Sequence, residues 1–221
     1  MKLKIAVVAF SLCFFTCKED AKKTVEFNYK YPSVEQLLDC GDDMDTQLFQ
    51  EALYSFEADL IAFYTPDQPV YSRAYSLFVS QAINNRIVYQ NMVSDHSKAV
   101  FQALKQDETL WTTNPDGSHL NYNHPIFKCI GAHIEDEQLH KTFNALIDTN
   151  SMSLRMFGDQ LRRKTFGMKD DKYLATYVAL ELYYAKFFDV DFNKEVPDVS
   201  ETEKQSSNLN TEKDGHEGHN H

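Results

Sequence analysis

The sequence predicts a single all-α bundle of seven to eight helices. Apolar residues recur at the helical interval through most of the middle of the chain. Breakers are scarce: 7 Gly and 6 Pro stand against 16 Phe and 12 Tyr in 221 residues. Near the end of the periodic region, 174–188 is apolar or aromatic at almost every position, as in a helix enclosed on all sides.

The chain opens with a segment of a different kind. Met1 to Lys4 is short and basic, and Ile5 to Phe15 is an apolar run. Cys17 follows, and then Lys18, Glu19 and Asp20. The run is too short for a spanning helix, which needs roughly 20 apolar residues. A basic start, a short apolar core and an abrupt polar end are the marks of a secretory signal. Phe14-Phe15-Thr16-Cys17 resembles the lipobox of bacterial lipoproteins, with Phe14 where that family usually has Leu. The resemblance implies that 1–16 is removed and that Cys17 becomes an acylated first residue. Two or more acyl chains then hold the protein on a membrane without a spanning helix. Lys18-Glu19-Asp20 resembles the charged signal that sends some bacterial lipoproteins to the outer leaflet of the outer membrane. The implied location is the cell envelope, periplasmic or surface-facing.

Residues 17–32 are polar with scattered aromatics and read as a tether. The helical domain is expected over 33–197. Ser33 can cap a short helix ending near Asp39. A strong helix starts at Asp45 or Thr46 and runs to about Tyr64, with Phe49, Leu53, Phe56, Leu60 and Phe63 on one face. Pro66 and Pro69 force an extended link. The next helix begins near Val70, carries Tyr71, Tyr75, Phe78 and Ala82 inward, and either stops at Asn84-Asn85 or continues to Met92. Ser94 caps a helix with Ala99, Val100, Ala103 and Leu104 inside.

Residues 107–124 show no period and contain the turn sequence Asn114-Pro115-Asp116-Gly117. A structureless loop of that length inside a domain is uncommon and often functional. It holds the chain's one tryptophan, Trp111, which is either a plug onto the core or part of a binding lid.

Pro125 opens the next helix, with Ile126, Phe127 and Ile130 packing. Glu135-Asp136-Glu137 makes an acid-rich first turn favoured by the helix dipole. Leu139, Phe143, Leu146 and Ile147 form that helix's inner side. Ser151 is the expected cap of a helix reaching Thr165 or Phe166, with a basic last turn and Gly167 after it. Asp170 or Asp171 caps the central helix. Beyond it, 198–221 is expected to be disordered: from Ser200 to His221 it has one apolar residue, Leu209, and cannot bury enough surface to fold.

The formal charge of −11 argues against nucleic-acid binding, because such a surface repels phosphate. It also repels anionic membranes, so the acyl group rather than a basic face is expected to anchor the protein. The domain keeps Cys40 and Cys129. In an oxidising compartment they either pair or remain as buried free thiols. A weak echo links them: each is followed by acids and then by a helix opening Gln-Leu, at Gln47 and at Gln138.

Four places offer chemistry. The tail carries His216, His219 and His221 with Asp214 and Glu217, imidazole and carboxylate donors suited to copper or zinc. The alternative is a solvated tail that binds metal only incidentally. If Pro125 to Asp148 is one helix, His133, Glu137 and His140 share a face. Glu137-x-x-His140 resembles half of the ferritin-like di-metal motif, whose second half is missing here, although Glu51, Glu57 and Glu181 are spare carboxylates. The competing reading is an exposed polar face. Glu181 lies inside the apolar run, so it must be neutral or paired, with Arg73, Arg86, Arg155 or a Tyr hydroxyl as partner. Met152 and Met156 stand one turn apart, as Cu(I) thioethers or as core. No nucleophile elbow, P-loop, glycine-rich nucleotide motif, HExxH or CxxC occurs, which leaves an enzyme without support.

Three functions compete. The first is a non-catalytic accessory lipoprotein binding a partner or ligand through its helical surface and the 107–124 loop. The second is a metal-handling lipoprotein using the tail. The third is an enzyme with a carboxylate/His site in the bundle.

Overall fold

The computed structural model describes residues 27–32, 37–41, 44–112 and 117–194. Among them it is all-α, with seven α-helices and no sheet. These are α1 (Gln47–Tyr64), α2 (Tyr71–Ile83), α3 (Asp95–Leu104), α4 (Pro125–His133), α5 (Glu137–Asp148), α6 (Leu154–Arg163) and α7 (Lys172–Val178). Cys17 and the histidines of the tail lie outside the described residues.

Boundary residues behave as their chemistry requires. The side chains of Ser94, Asp136 and Asp171 accept the N–H three residues on and so cap α3, α5 and α7. α2 stops at Ile83, and Asn85 takes a positive φ of 53°, which Asn tolerates better than most side chains. The continuation to Met92 is only a single 3₁₀ turn, Tyr89–Asn91. α6 starts at Leu154 rather than next to Ser151, whose hydroxyl is engaged with Thr149. Of the expected 33–39 helix, 33–36 lie outside the described residues and 37–40 are not helical.

α1 packs on α2 and α3, α4 on α5 and α7, and α6 on α2 and α5. The 172–189 segment lies between these groups. Tyr177, Val178, Leu180, Leu182, Tyr183 and Tyr184 are all fully buried, as a central helix demands. It is not one regular helix. α7 widens into a π turn, Ala179–Tyr183, and tightens into a 3₁₀ stretch, Tyr184–Asp189. The widened turn resets the register. Both neighbouring tyrosines then reach α1: Tyr183 donates to Asp59, and Tyr184 donates to the Ala52 carbonyl at 3.1 Å. Glu181 is left to serve the opposite side.

Cys40 and Cys129 form a disulfide, tying the segment before α1 to α4. It joins the two cysteines of the sequence echo. The supposed tether is not free along its whole length. Lys30 and Tyr31 donate their backbone N–H groups to the buried Glu51 carboxylate at 2.7 and 3.0 Å, and Phe27 lies against the His96 ring. Residues 27–32 are therefore a strap across α1 and α3.

Candidate functional site

The 107–124 loop is pinned at both ends. Trp111 donates Nε1–H to the Leu104 carbonyl at 2.9 Å and sets its ring edge-on against Phe101 and Phe188. Its backbone bridges to Leu120, with Thr112 N–H on His119 and Asn121 N–H on Leu110. At the far end His124 caps α4. Its Nδ1 accepts from Ile126 N–H, so Nε2 carries the proton and donates to Asp107 at 3.0 Å. Burial pushes the His124 pKa down, against a smaller upward pull from Asp107. Trp111 is thus the plug of the two readings.

The pinned loop and the α5–α6 turn enclose a cleft of about 460 Å³. Thr112, Ser118, Asn121, Tyr122 and Asn123 line it from the loop, and Asn150, Ser151, Met152 and Ser153 from the turn. No lining side chain is formally charged. Asn150 makes the turn with φ of 48°.

Two lining residues reach through the wall to a buried acid. Ser118 Oγ and Tyr122 Oη both donate to Oε2 of Glu181, at 2.6 and 2.9 Å. Burial pushes the Glu181 pKa up. The Ser118 hydroxyl, the Lys186 charge, the Tyr122 hydroxyl and the His119 charge pull it part of the way back. The partner is therefore a Tyr and a Ser hydroxyl, and none of the three arginines. Tyr177, also fully buried, has no hydrogen-bond partner for its hydroxyl. Burial holds the phenols of Tyr122 and Tyr177 well above their ordinary range, so they stay neutral. The arrangement is an uncharged polar cleft backed by a buried acid whose pKa is raised by its burial. It can bind uncharged hydrogen-bonding groups.

The other expected sites come out differently. Pro125 to Asp148 is two helices, because Ile134 turns inward at the end of α4 and Asp136 caps a new start. His133, Glu137 and His140 therefore do not stand on one helix face. His133 stacks on Tyr173 with ring centres 4.5 Å apart, and Glu137 pairs with Lys141 at 2.6 Å. Among the described residues no group of three His, Cys, Asp or Glu side chains is placed to hold a metal ion. Met152 is buried while Met156 is 56% exposed, so the two thioethers face different surroundings.

Sequence reasoning named Glu51 and Glu57 only as spare carboxylates and passed over Asp59. All three are buried. His96 Nε2 meets Glu51 at 2.6 Å alongside the strap N–H groups. Glu57 takes the Lys172 ammonium at 2.9 Å and the Tyr75 hydroxyl at 2.8 Å. Asp59 takes Ser94 N–H, Ser97 Oγ and Tyr183 Oη. Each acid is satisfied by donors from other segments, as buried charge requires. They clamp the strap, α2, α3 and the central segment to α1. The available signal was acids set among Leu53, Phe56 and Leu60 within one or two turns of an apolar-striped helix.

No family of proteins matches this chain, and neither does any curated protein or solved structure.

Proposed function

We propose that the protein is a lipid-anchored, extracytoplasmic binding module without catalytic activity, and that the cleft backed by Glu181 receives its ligand. The observation that carries this is the contrast between the cleft and the rest of the core. Polar, uncharged side chains converge on one concavity, and two of them, Ser118 and Tyr122, are fixed from behind by hydrogen bonds to a buried acid. A few fixed polar groups in a concave site orient a ligand that brings matching hydrogen-bonding groups. The ligand is accordingly small, uncharged and rich in hydroxyl or amide groups. One further fact supports the envelope setting: a disulfide persists in oxidising compartments. Among the described residues no helix is long and apolar enough to cross a membrane.

The experiment is a ligand-observed NMR screen of small soluble compounds, neutral and charged, against the whole chain. Neutral polar hits are expected, and they are expected to be lost in Asn123→Leu and Ser118→Val at unchanged helicity. Hits that survive both substitutions place the binding elsewhere and end the reading.

A further inference from the structure

We infer that the concavity between the start of α5 and the α6–α7 turn is the contact face of a homodimer, closed by a second copy of this chain about a two-fold axis. A lone exposed apolar side chain needs no explanation. Phe166 differs in its setting. It is 85% exposed, yet its neighbours Thr165 and Met168 are buried, and Asp170 and Asp171 both donate N–H to the Gly167 carbonyl. An ordered turn thus holds the ring outward at the edge of a concavity of about 360 Å³, whose apolar wall is Leu139 and Leu174.

The charges around this concavity decide the kind of partner. Glu135, Asp136, Asp171, Arg163 and Lys164 line it. Asp136 is taken by Lys164 at 2.6 Å. Asp171 is spent within the fold, accepting the N–H groups of Glu135 and Leu174 at 3.0 and 2.9 Å. That leaves Glu135 and Arg163, both exposed and, among the described residues, both without an ion pair. Outside the rim Asp159 pairs with Arg162 at 3.7 Å, and Lys169 and Asp170 add one charge of each sign. The face is therefore close to neutral, with one free acid, one free cation and one outward ring.

Such a face is complementary to itself. In a two-fold pairing a residue meets its counterpart's partner and the exchange is reciprocal. Arg163 of each copy then pairs with Glu135 of the other, and each Phe166 ring enters the other concavity against Leu139 and Leu174. A foreign protein would have to bring the same three elements in matching places, whereas a second copy carries them by construction. A strongly acidic or basic partner, an anionic membrane included, finds no excess charge here to attract it. The net charge of −11 does not keep two copies apart, because charges beyond about 8 Å are largely screened at physiological salt. No residue of this face lines the cleft backed by Glu181, so the two sites stand or fall separately.

The test is sedimentation equilibrium of the chain from residue 17 onward carrying C17S, so that neither an acyl chain nor a free thiol at that position can join copies. A monomer–dimer equilibrium with a dissociation constant on the order of 10–100 µM is expected for so small a face. F166S, R163E and E135R alter exposed side chains, and Glu135 serves the fold through its backbone N–H, so each should keep its helicity by circular dichroism. Each is expected to weaken dimerisation about tenfold or more, since the two-fold axis doubles every change. The swap E135R/R163E should return the dissociation constant to within about threefold of the wild type, a recovery that a merely structural role would not give. A chain that stays monomeric at ten times the upper end of that range, which would leave Phe166 to a different protein, overturns the inference. So does a dimer indifferent to F166S, or a swap that fails to restore what R163E removed.

Discussion

Replacing Cys40 and Cys129 with serine removes a covalent link between positions 89 residues apart in sequence. In the chain-entropy description, a closed loop of that length restrains the unfolded chain by about 4.5 kcal/mol. The native contacts around the bridge largely survive its removal. Asp39 N–H still meets the Tyr173 hydroxyl at 2.9 Å, and Leu37 N–H still meets Gln50 at 2.9 Å. The loss should therefore come mainly from the unfolded state. For a domain of roughly 170 residues, each kcal/mol moves the melting temperature by about 2–4 °C, so a fall of about 9–18 °C is expected. Calorimetric melts of the wild type, of C40S, of C129S and of the double variant provide the assay. Because either single change breaks the bridge, all three variants should melt within a few degrees of one another. A drop of under about 3 °C in the double variant would show that the bridge restrains no such loop. Alkylation of Cys40 and Cys129 themselves in the unreduced native protein would refute the pairing.

Three further predictions follow from single sites. Glu181→Leu should cost about 1–3 kcal/mol, because the buried Tyr122 hydroxyl loses its acceptor; a melt equal to wild type would mean that the acid is merely tolerated. Glu181→Gln copies the protonated acid. The folded pKa of Glu181 is raised, so its contribution is intact below the unfolded value of 4.5 and is lost as pH rises through the folded value. The variant should accordingly gain on wild type as pH rises, and chemical denaturation at several pH values would refute this by giving parallel curves. At Gly131 an added Cβ would lie 2.1 Å from Asn144 Oδ1, while Asn144 Nδ2 is bonded to the Gly131 and His140 carbonyls. Gly131→Ala should cost about 1–3 kcal/mol by displacing that amide, and a neutral urea melt would show that Asn144 is free to turn. The tail histidines His216, His219 and His221 remain a proposal for copper or zinc, tested by calorimetric titration of the full chain against one ending at Ser200. Equal stoichiometry and affinity would remove it.

Much of the bundle was legible because its signals are local. Stripes at helical spacing located α1, α2, α3 and α5, and the Ser94 cap located the start of α3. What escaped depends on distant segments. The Phe27 to Pro32 strap looked like a tether because it is held through its own backbone N–H groups, which carry no sequence label. The π turn was hidden because 174–188 is apolar all round, so no stripe exists whose drift would betray a change of register. Phe63 fitted the α1 stripe but is 43% exposed, since the helix outruns its neighbours there. Glu181 was recognisable as an oddity within its apolar run. Its Ser118 and Tyr122 partners were not, since they come from the aperiodic loop.

The hold of Glu51 on the strap bears on mechanical load. A pull on the chain from its N-terminal side meets Phe27 on the His96 ring of α3 and then Lys30 and Tyr31, where it is shared with the side of α1 at Glu51. What passes that point meets the bridge at Cys40 and is handed to α4 before it can reach the first turn of α1. The helix is thus loaded sideways, by shear across several bonds at once, instead of being unzipped from its end. In a protein held to a surface by its N-terminus, drag from the surrounding fluid would strain the clasp and leave the core unloaded.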